Sequence, residues 1–434
     1  MKHLPKKIFI TLLFITATAF LNICYSANYD ISPPDVSDLI VKYEEIPAEE
    51  NAFTYFEHAG QIVVQRRESD EYIFETINDD NYDPAKVERC LADSKDIFEL
   101  MEQGLKCRKM QFPKIEMSFD ATLPYLSSFR DMARIESNNA YHLFRKGFEK
   151  EGMDASLRAV KFGLMMQDAK GPLINCLVGI AIKAIGREKF RTMLAMTSLK
   201  PENLKPYIKL LDDGSASKSG LADAFKMEFM FFAKTVDDMT FDREFLDKLA
   251  LLQEKTLLTV NTVPTSYSFQ KNRTKLLYAE TIRKLIANAS PPYSDTSHVI
   301  KIKASFFDFI PVPNRLGIEW HNAISASLSK VIVQLFNDIF NSGATQLSVA
   351  LECYRLDKGK LPEKLDMLMP DYIDKIPLDP FDMKPLRYSN EKKIIYSVGE
   401  DLKDDGGPME EEWSINTKPG KALMNAKDPA VRIE

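Results

Sequence analysis

Histidine is scarce in this chain, with five in 434 residues. His3 lies in the leader described below, which leaves His58, His142, His298 and His321, none of them near another in sequence. No His-Glu-x-x-His or other zinc spacing occurs, so no linear zinc-hydrolase signature is present. His142 falls within a helical pattern and reads as a structural residue. A Gly-x-Ser-x-Gly elbow and a phosphate-cradling glycine loop are also missing. The chain therefore carries none of the common catalytic motifs that can be read along a line. It also lacks an excess of basic residues: 57 Lys and Arg stand against 63 Asp and Glu, a formal charge of −6. Nucleic acid as a partner needs a basic face, and this balance argues against it.

Beyond the start of the chain no segment is expected to reach the length of a membrane span, so no integral span is expected in the mature chain. Lys2, Lys6 and Lys7 precede an apolar stretch over 8–21, broken only by threonines, and Cys24-Tyr25-Ser26-Ala27 follows. That is the layout of a secretory signal peptide cleaved after Ser26. The stretch is shorter than the ~20 residues that a membrane span needs; a retained N-terminal anchor is the alternative. Ile23 before Cys24 fits a lipoprotein signal poorly. Cleavage removes three lysines and moves the formal charge from −6 to −9. The protein is expected in the periplasm or outside the cell. Cys90, Cys107, Cys176 and Cys353 remain. Two disulfides are permitted there, but Cys90 and Cys107 on one continuous helix would lie ~25 Å apart. Buried free thiols are expected for at least two of the four.

The rest of the chain is mainly helical in pattern. Residues 27–50 are polar and acidic, with Pro33-Pro34 and Pro47, and read as a flexible lead-in. A helical domain is expected over 51–290. Asp83-Pro84 opens a helix by its N-cap and N1-proline chemistry, running towards Cys107. The block 122–198 carries apolar residues at three- and four-residue steps, with breaks near Gly147 and at Gly171-Pro172, and predicts four antiparallel helices with short turns. Further helices are expected from Pro201 to Asp213, around 222–236, from Asp242 to Leu252 and over 266–288. The Met- and Phe-rich stretch 225–232 fits core packing better than a peptide-binding groove. The basic positions at 271–284 fit a solvated helix face. Prolines 291, 292, 311 and 313 place a linker at 291–317.

From 318 a long helix leads into a C-terminal module. Gly359 caps that helix, and Pro362 to Pro370 bound a short one. Leu386-Arg387-Tyr388 and Ile394 to Val398 alternate around Ser389-Asn390-Glu391 as a β-hairpin. A glycine-bearing acidic loop follows over 399–407. The fold class expected is thus mainly α: an antiparallel multi-helix bundle, then a small α+β module.

The order Tyr354, Gly359-Lys360-Leu361-Pro362, Leu365, Leu368, Pro377, Asp379-Pro380, Pro385, Tyr388, Tyr396-Ser397-Val398-Gly399 and the acidic loop resembles the major pseudopilin of type II secretion. The likeness covers about the last fifth of the chain. It implies calcium in the acidic loop, with Asp401, Asp404 and Asp405 as carboxylate ligands and Val398 or Leu402 offering a carbonyl. Calcium takes 6–8 hard oxygens; the alternative is a solvated acidic turn, with Glu410-Glu411-Glu412 either adding a ligand or simply hydrated. Pseudopilins carry their hydrophobic helix at the N-terminus. Here the module stands at the far end of an exported chain, so fibre formation does not carry over. With Asn51-Ala52 before an aromatic helix, the run Leu177-Val178-Gly179-Ile180-Ala181-Ile182 and Asn272-Arg273-Thr274 before a helix, the helical part resembles uncharacterised exported proteins of planctomycete-like bacteria, which brings no activity. The expectation is a non-enzymatic interaction or scaffold protein of the cell envelope with a protein partner. An exported hydrolase using paired carboxylates and a type II secretion accessory are the alternatives.

Overall fold

The computed structural model describes residues 30–67, 71–114, 123–213, 218–239, 269–294, 313–409 and 418–433. The leader, the helix expected from Asp242, much of the proline-rich linker and Glu410 to Glu412 lie outside them.

Capping chemistry starts the first helices where the sequence places it. Asn51 accepts a hydrogen bond from Phe53 N at the start of α1 (Ala52–Arg66). Asp83 accepts from Ala85 N and Lys86 N at the start of α2 (Pro84–Ala92), with Pro84 at the first helical position. The expected run to Cys107 is not one helix. It breaks at Asp93 and Ser94, and α3 (Lys95–Lys106) resumes. The Ser94 hydroxyl donates back to Cys90 O at 2.8 Å, the local bond by which serine competes with helix continuation.

The middle block holds three helices rather than four: α4 (Tyr125–Arg145), α5 (Glu149–Asp168) and α6 (Leu173–Leu194). The separate fourth helix expected before Met196 is the second half of α6, which no proline or cap interrupts. These three form successive antiparallel hairpins, and small residues bring the backbones together. A Cβ on Gly163 would lie 2.5 Å from Gly179 O, and one on Gly186 would lie 2.6 Å from Ser156 O. Next come α7 (Pro201–Leu204), α8 (Pro206–Asp213), α9 (Lys218–Asp238) and α10 (Lys271–Asn288). Phe225, Met227, Phe229 and Phe232 of α9 are buried, so that stretch is core. The basic face of α10 meets acidic groups of its own chain: Lys275 pairs with Asp237, and Arg283 with Asp38. Residues 30–50 run along this body, with Leu39 and Val41 buried and Asp30 accepting from Asn272 N and Arg273 N.

The 44-residue helix α11 (Arg315–Lys358) would extend about 66 Å at 1.5 Å per residue. It is long and apolar enough to cross a membrane by length and composition, contrary to the expectation that no segment beyond the leader reaches that length. Here it threads two apolar cores. Ile332, Leu335 and Phe336 pack with α9 and α10; Leu347 and Leu351 share a second core with Tyr141, Phe190 and Tyr207, and with Ile395 and Val431 of the C-terminal sheet. It runs parallel to α6, because Lys183 and Arg187 meet Asp338 while Arg191 meets Asn341 and Thr345.

A left-handed Gly359 (φ +72°) caps α11. The sheet holds β1 (Arg387–Ser389), β2 (Ile394–Tyr396), β3 (Ala422–Leu423) and β4 (Ala430–Arg432), in the antiparallel order β1-β2-β4-β3. The expected hairpin is present with Tyr388 opposite Ile395, while β3 and β4 had no clear sequence signal. The four cysteines among the described residues are free thiols, and Cys90, Cys176 and Cys353 are buried.

Candidate functional site

The acidic loop leaves β2 at Val398 and is held at both ends. At its start, Gly399 adopts φ +63°, and any Cβ there would lie 2.0 Å from Lys427 O. At its end, Gly407 adopts φ +86°, and its amide donates to Asp428 Oδ2 at 2.8 Å. Glycine is the residue that tolerates both conformations without strain.

The three predicted ligands have different neighbours. Asp401 is exposed, and its Oδ1 accepts from Lys403 N at 3.0 Å. Asp404 is tied twice: Oδ1 accepts from Gly406 N at 3.1 Å, and Oδ2 accepts from Arg387 Nε at 3.1 Å. Asp405 has an exposed side chain, and its backbone amide donates to Asp428 Oδ2 at 3.0 Å. Arg387 thus reaches three carboxylates, since Nη1 also meets Asp379 at 2.8 Å and Nη2 meets Asp382 at 2.6 Å. Asp379 is fully buried and accepts further bonds from Phe381 N, Ser397 Oγ and Val398 N. These bonds fix the base of the loop to the strand that precedes it.

Asp428 is the residue that sequence reasoning missed. It lies 23 positions beyond Asp405, yet it is buried against the loop with 1% exposure. One carboxylate oxygen gathers the two loop amides. The other, Oδ1, is buried and has no hydrogen-bond partner. Burial pushes this carboxyl above its usual range, and the charges of Asp405 and Asp404 push the same way. That buried oxygen feels the charge of two further carboxylates, which a cation would offset. Among the described residues, no three His, Cys, Asp or Glu side chains converge closely enough to hold a metal by themselves. A cation here would therefore draw on backbone carbonyls as well, as calcium does. The only hint in sequence was an Asp-Pro step, too common to single out.

A second feature lies where α8, α11 and the 370–378 segment meet. It is an open groove of about 770 Å³. Ile208, Ile339, Ile373, Ile376, Pro377 and Leu378 give it apolar walls, and Lys205, Lys209 and Lys375 lie at its sides with Asp371 and Asp374. The two carboxylates belong to one exposed loop. Leu378, one of its lining residues, is exposed.

His142, expected to be structural, has its Nδ1 3.0 Å from the Tyr82 hydroxyl, and His321 Nε2 lies 2.8 Å from Thr281 Oγ1 in the core. Neither faces the groove or the loop. Compared with family models, curated proteins and solved structures, the chain matches none.

Proposed function

We propose that this is an exported, non-enzymatic interaction protein of the cell envelope, whose C-terminal part is a pseudopilin-like module ordered by calcium. The observation that carries the binding role is the groove beside α8 and α11. It is open and apolar along its walls, with exposed Leu378 among them, which is how a protein surface that receives a peptide segment is built. A glycosidase-type hydrolase needs two carboxylates facing each other across a cleft ~5–10 Å wide, whereas Asp371 and Asp374 stand on one side.

Calcium would draw Asp401, Asp404 and Asp405 from the separate positions they hold here towards the unpartnered oxygen of Asp428, with loop carbonyls completing the shell. Asp404 would give up its contact with Arg387. The ion would act structurally, neutralising the loop and fixing it to the sheet that α11 supports.

A photo-reactive residue placed at Leu378 in the native host tests the binding role. A discrete cross-linked adduct that is lost when Ile376 is changed to Arg supports it. Equal labelling from Leu378 and from exposed Val64, on the far helix α1, would reject the groove as the binding surface. Calorimetry of the mature protein with calcium tests the ion separately.

A further inference from the structure

The segment before α1 lies on α9 in the way a bound peptide lies on its receptor. After one turn of 3-10 helix at Ser37–Leu39, the chain is extended at Ile40 (φ −94°, ψ 121°). Leu39 and Val41 are 1% and 6% exposed, whereas Ile40 between them is 44% exposed. Alternate side chains therefore turn inward, as in an extended peptide held by its side-chain pockets. Leu39 joins the apolar cluster of Leu221, Ala224 and Phe225 on α9.

Two thioethers of α9 face this segment. Val41 N donates to Met230 Sδ at 3.4 Å, and the Tyr43 hydroxyl donates to Met227 Sδ at 3.3 Å. Methionine is flexible and polarizable, and it recurs on surfaces that accept varied peptides. Ion pairs hold the two ends. The Asp38 carboxylate takes Nε and Nη2 of Arg283 on α10 at 2.9 and 2.6 Å. Glu44 meets Lys109 Nζ at 2.5 Å and Lys170 Nζ at 3.3 Å. These pairs are largely solvent-exposed, and such pairs are weak and screened by salt.

Among the described residues, no backbone-to-backbone hydrogen bond joins 30–46 to any other part of the chain. The segment can therefore leave α9 without breaking a helix or a strand, an opening that costs less than global unfolding.

We propose that residues 38–44 are a self-bound peptide that keeps a groove on α9 closed. The groove takes an extended segment of a partner protein with the same order of side chains: acidic, apolar, any, apolar, any, aromatic, acidic. Arg283 receives the first acid, Met227 the aromatic hydroxyl, and Lys109 with Lys170 the second acid. A partner binds only while the protein's own segment is away, so its apparent affinity falls by the open fraction. The contact is thus autoinhibitory. It shares no residue with the groove beside α8 and α11 or with the acidic loop, and it does not depend on either reading above.

The test uses the mature full-length protein and a fluorescent peptide of residues 35–46, read by polarisation. Asp38→Asn with Glu44→Gln in the protein loosens its own segment and leaves the groove residues intact. The peptide should bind this variant about tenfold more tightly than the parent, because two lost surface pairs raise the open fraction by about that factor. A peptide carrying Leu39→Asp and Val41→Asp should not bind. Glu99→Gln, which removes a surface pair with Lys95 on α3, should leave the parent's affinity unchanged. Hydrogen exchange of the parent adds a measurement that needs no variant: amides 39–44 should exchange faster than those of α9, and faster still at high salt. A peptide that binds parent and loosened variant alike, one that binds neither, or exchange of 39–44 only through global unfolding would each overturn the proposal.

Discussion

Changing Asp428 separates the two jobs assigned to its two oxygens. Oδ2 holds the amides of Asp405 and Gly407, and Oδ1 is the unpartnered atom. In Asp428→Ala the Gly407 amide is left buried without an acceptor, which costs about 1–3 kcal/mol; the amide of exposed Asp405 can turn to water. Asp428→Asn keeps a neutral acceptor for both amides and should cost about half as much, since charge-assisted bonds are about twice as strong as neutral ones. Both variants should lose the calcium response. In the parent protein, calcium at a hundred times its dissociation constant should add about 2.7 kcal/mol. Acidity gives a further check on the sign. Because Asp428 titrates higher in the folded protein than in the unfolded chain, folding without metal takes up a proton there. Its contribution is therefore largest at low pH and is lost as pH rises through the folded value. Calcium requires the ionised carboxylate, so its stabilisation should grow with pH over that same window. Urea unfolding with calcium or chelator at several pH values measures all of this. An Asp428→Asn protein that keeps the full calcium response, or that is as unstable as Asp428→Ala without metal, would refute the reasoning.

Three other expectations rest on the helical part. Gly163→Ala would place a methyl group 2.5 Å from Gly179 O; despite alanine's better helix propensity it should destabilise by about 1–3 kcal/mol through overpacking, read by urea unfolding. Asp338→Ala would leave Lys183 and Arg187 buried without their carboxylate and should cost about 3–5 kcal/mol, read the same way, with a smaller loss if Lys183 is changed to Met in the same protein. Lys189 is buried, donates to Ile77 O and has its Nζ 4.6 Å from the Tyr141 ring centroid; burial lowers its pKa to about 8. Its folded pKa lies below its unfolded one, so its penalty of about 3 kcal/mol is fully present below pH 8 and fades as the unfolded chain also loses the proton near pH 10.5. Stability should therefore rise across that interval relative to Lys189→Met, measured as the difference between the two proteins' unfolding free energies at each pH.

The sequence by itself determined the features that depend on a few neighbouring residues. Asn51 and Asp83-Pro84 start their helices because their own side chains or ring satisfy the local backbone. Gly359 ends α11, and the alternation on either side of the turn makes the β1-β2 hairpin, with Ser389, expected in the turn, closing β1 opposite Ile394. Local pattern also marked the acidic loop. It did not foresee the break at Ser94, where one serine bond tips a helix that periodicity alone would continue. Tertiary structure decided everything that rests on distant partners. It paired β4 with β2, brought Asp428 under the loop, engaged Asp404 with Arg387, and set Lys183 and Arg187 of α6 against the carboxylate of Asp338. Those contacts span from 17 to more than 150 positions of chain. Residue type at such a separation says nothing about which groups meet, because that is fixed only when the apolar faces of the helices and the sheet close on a common core.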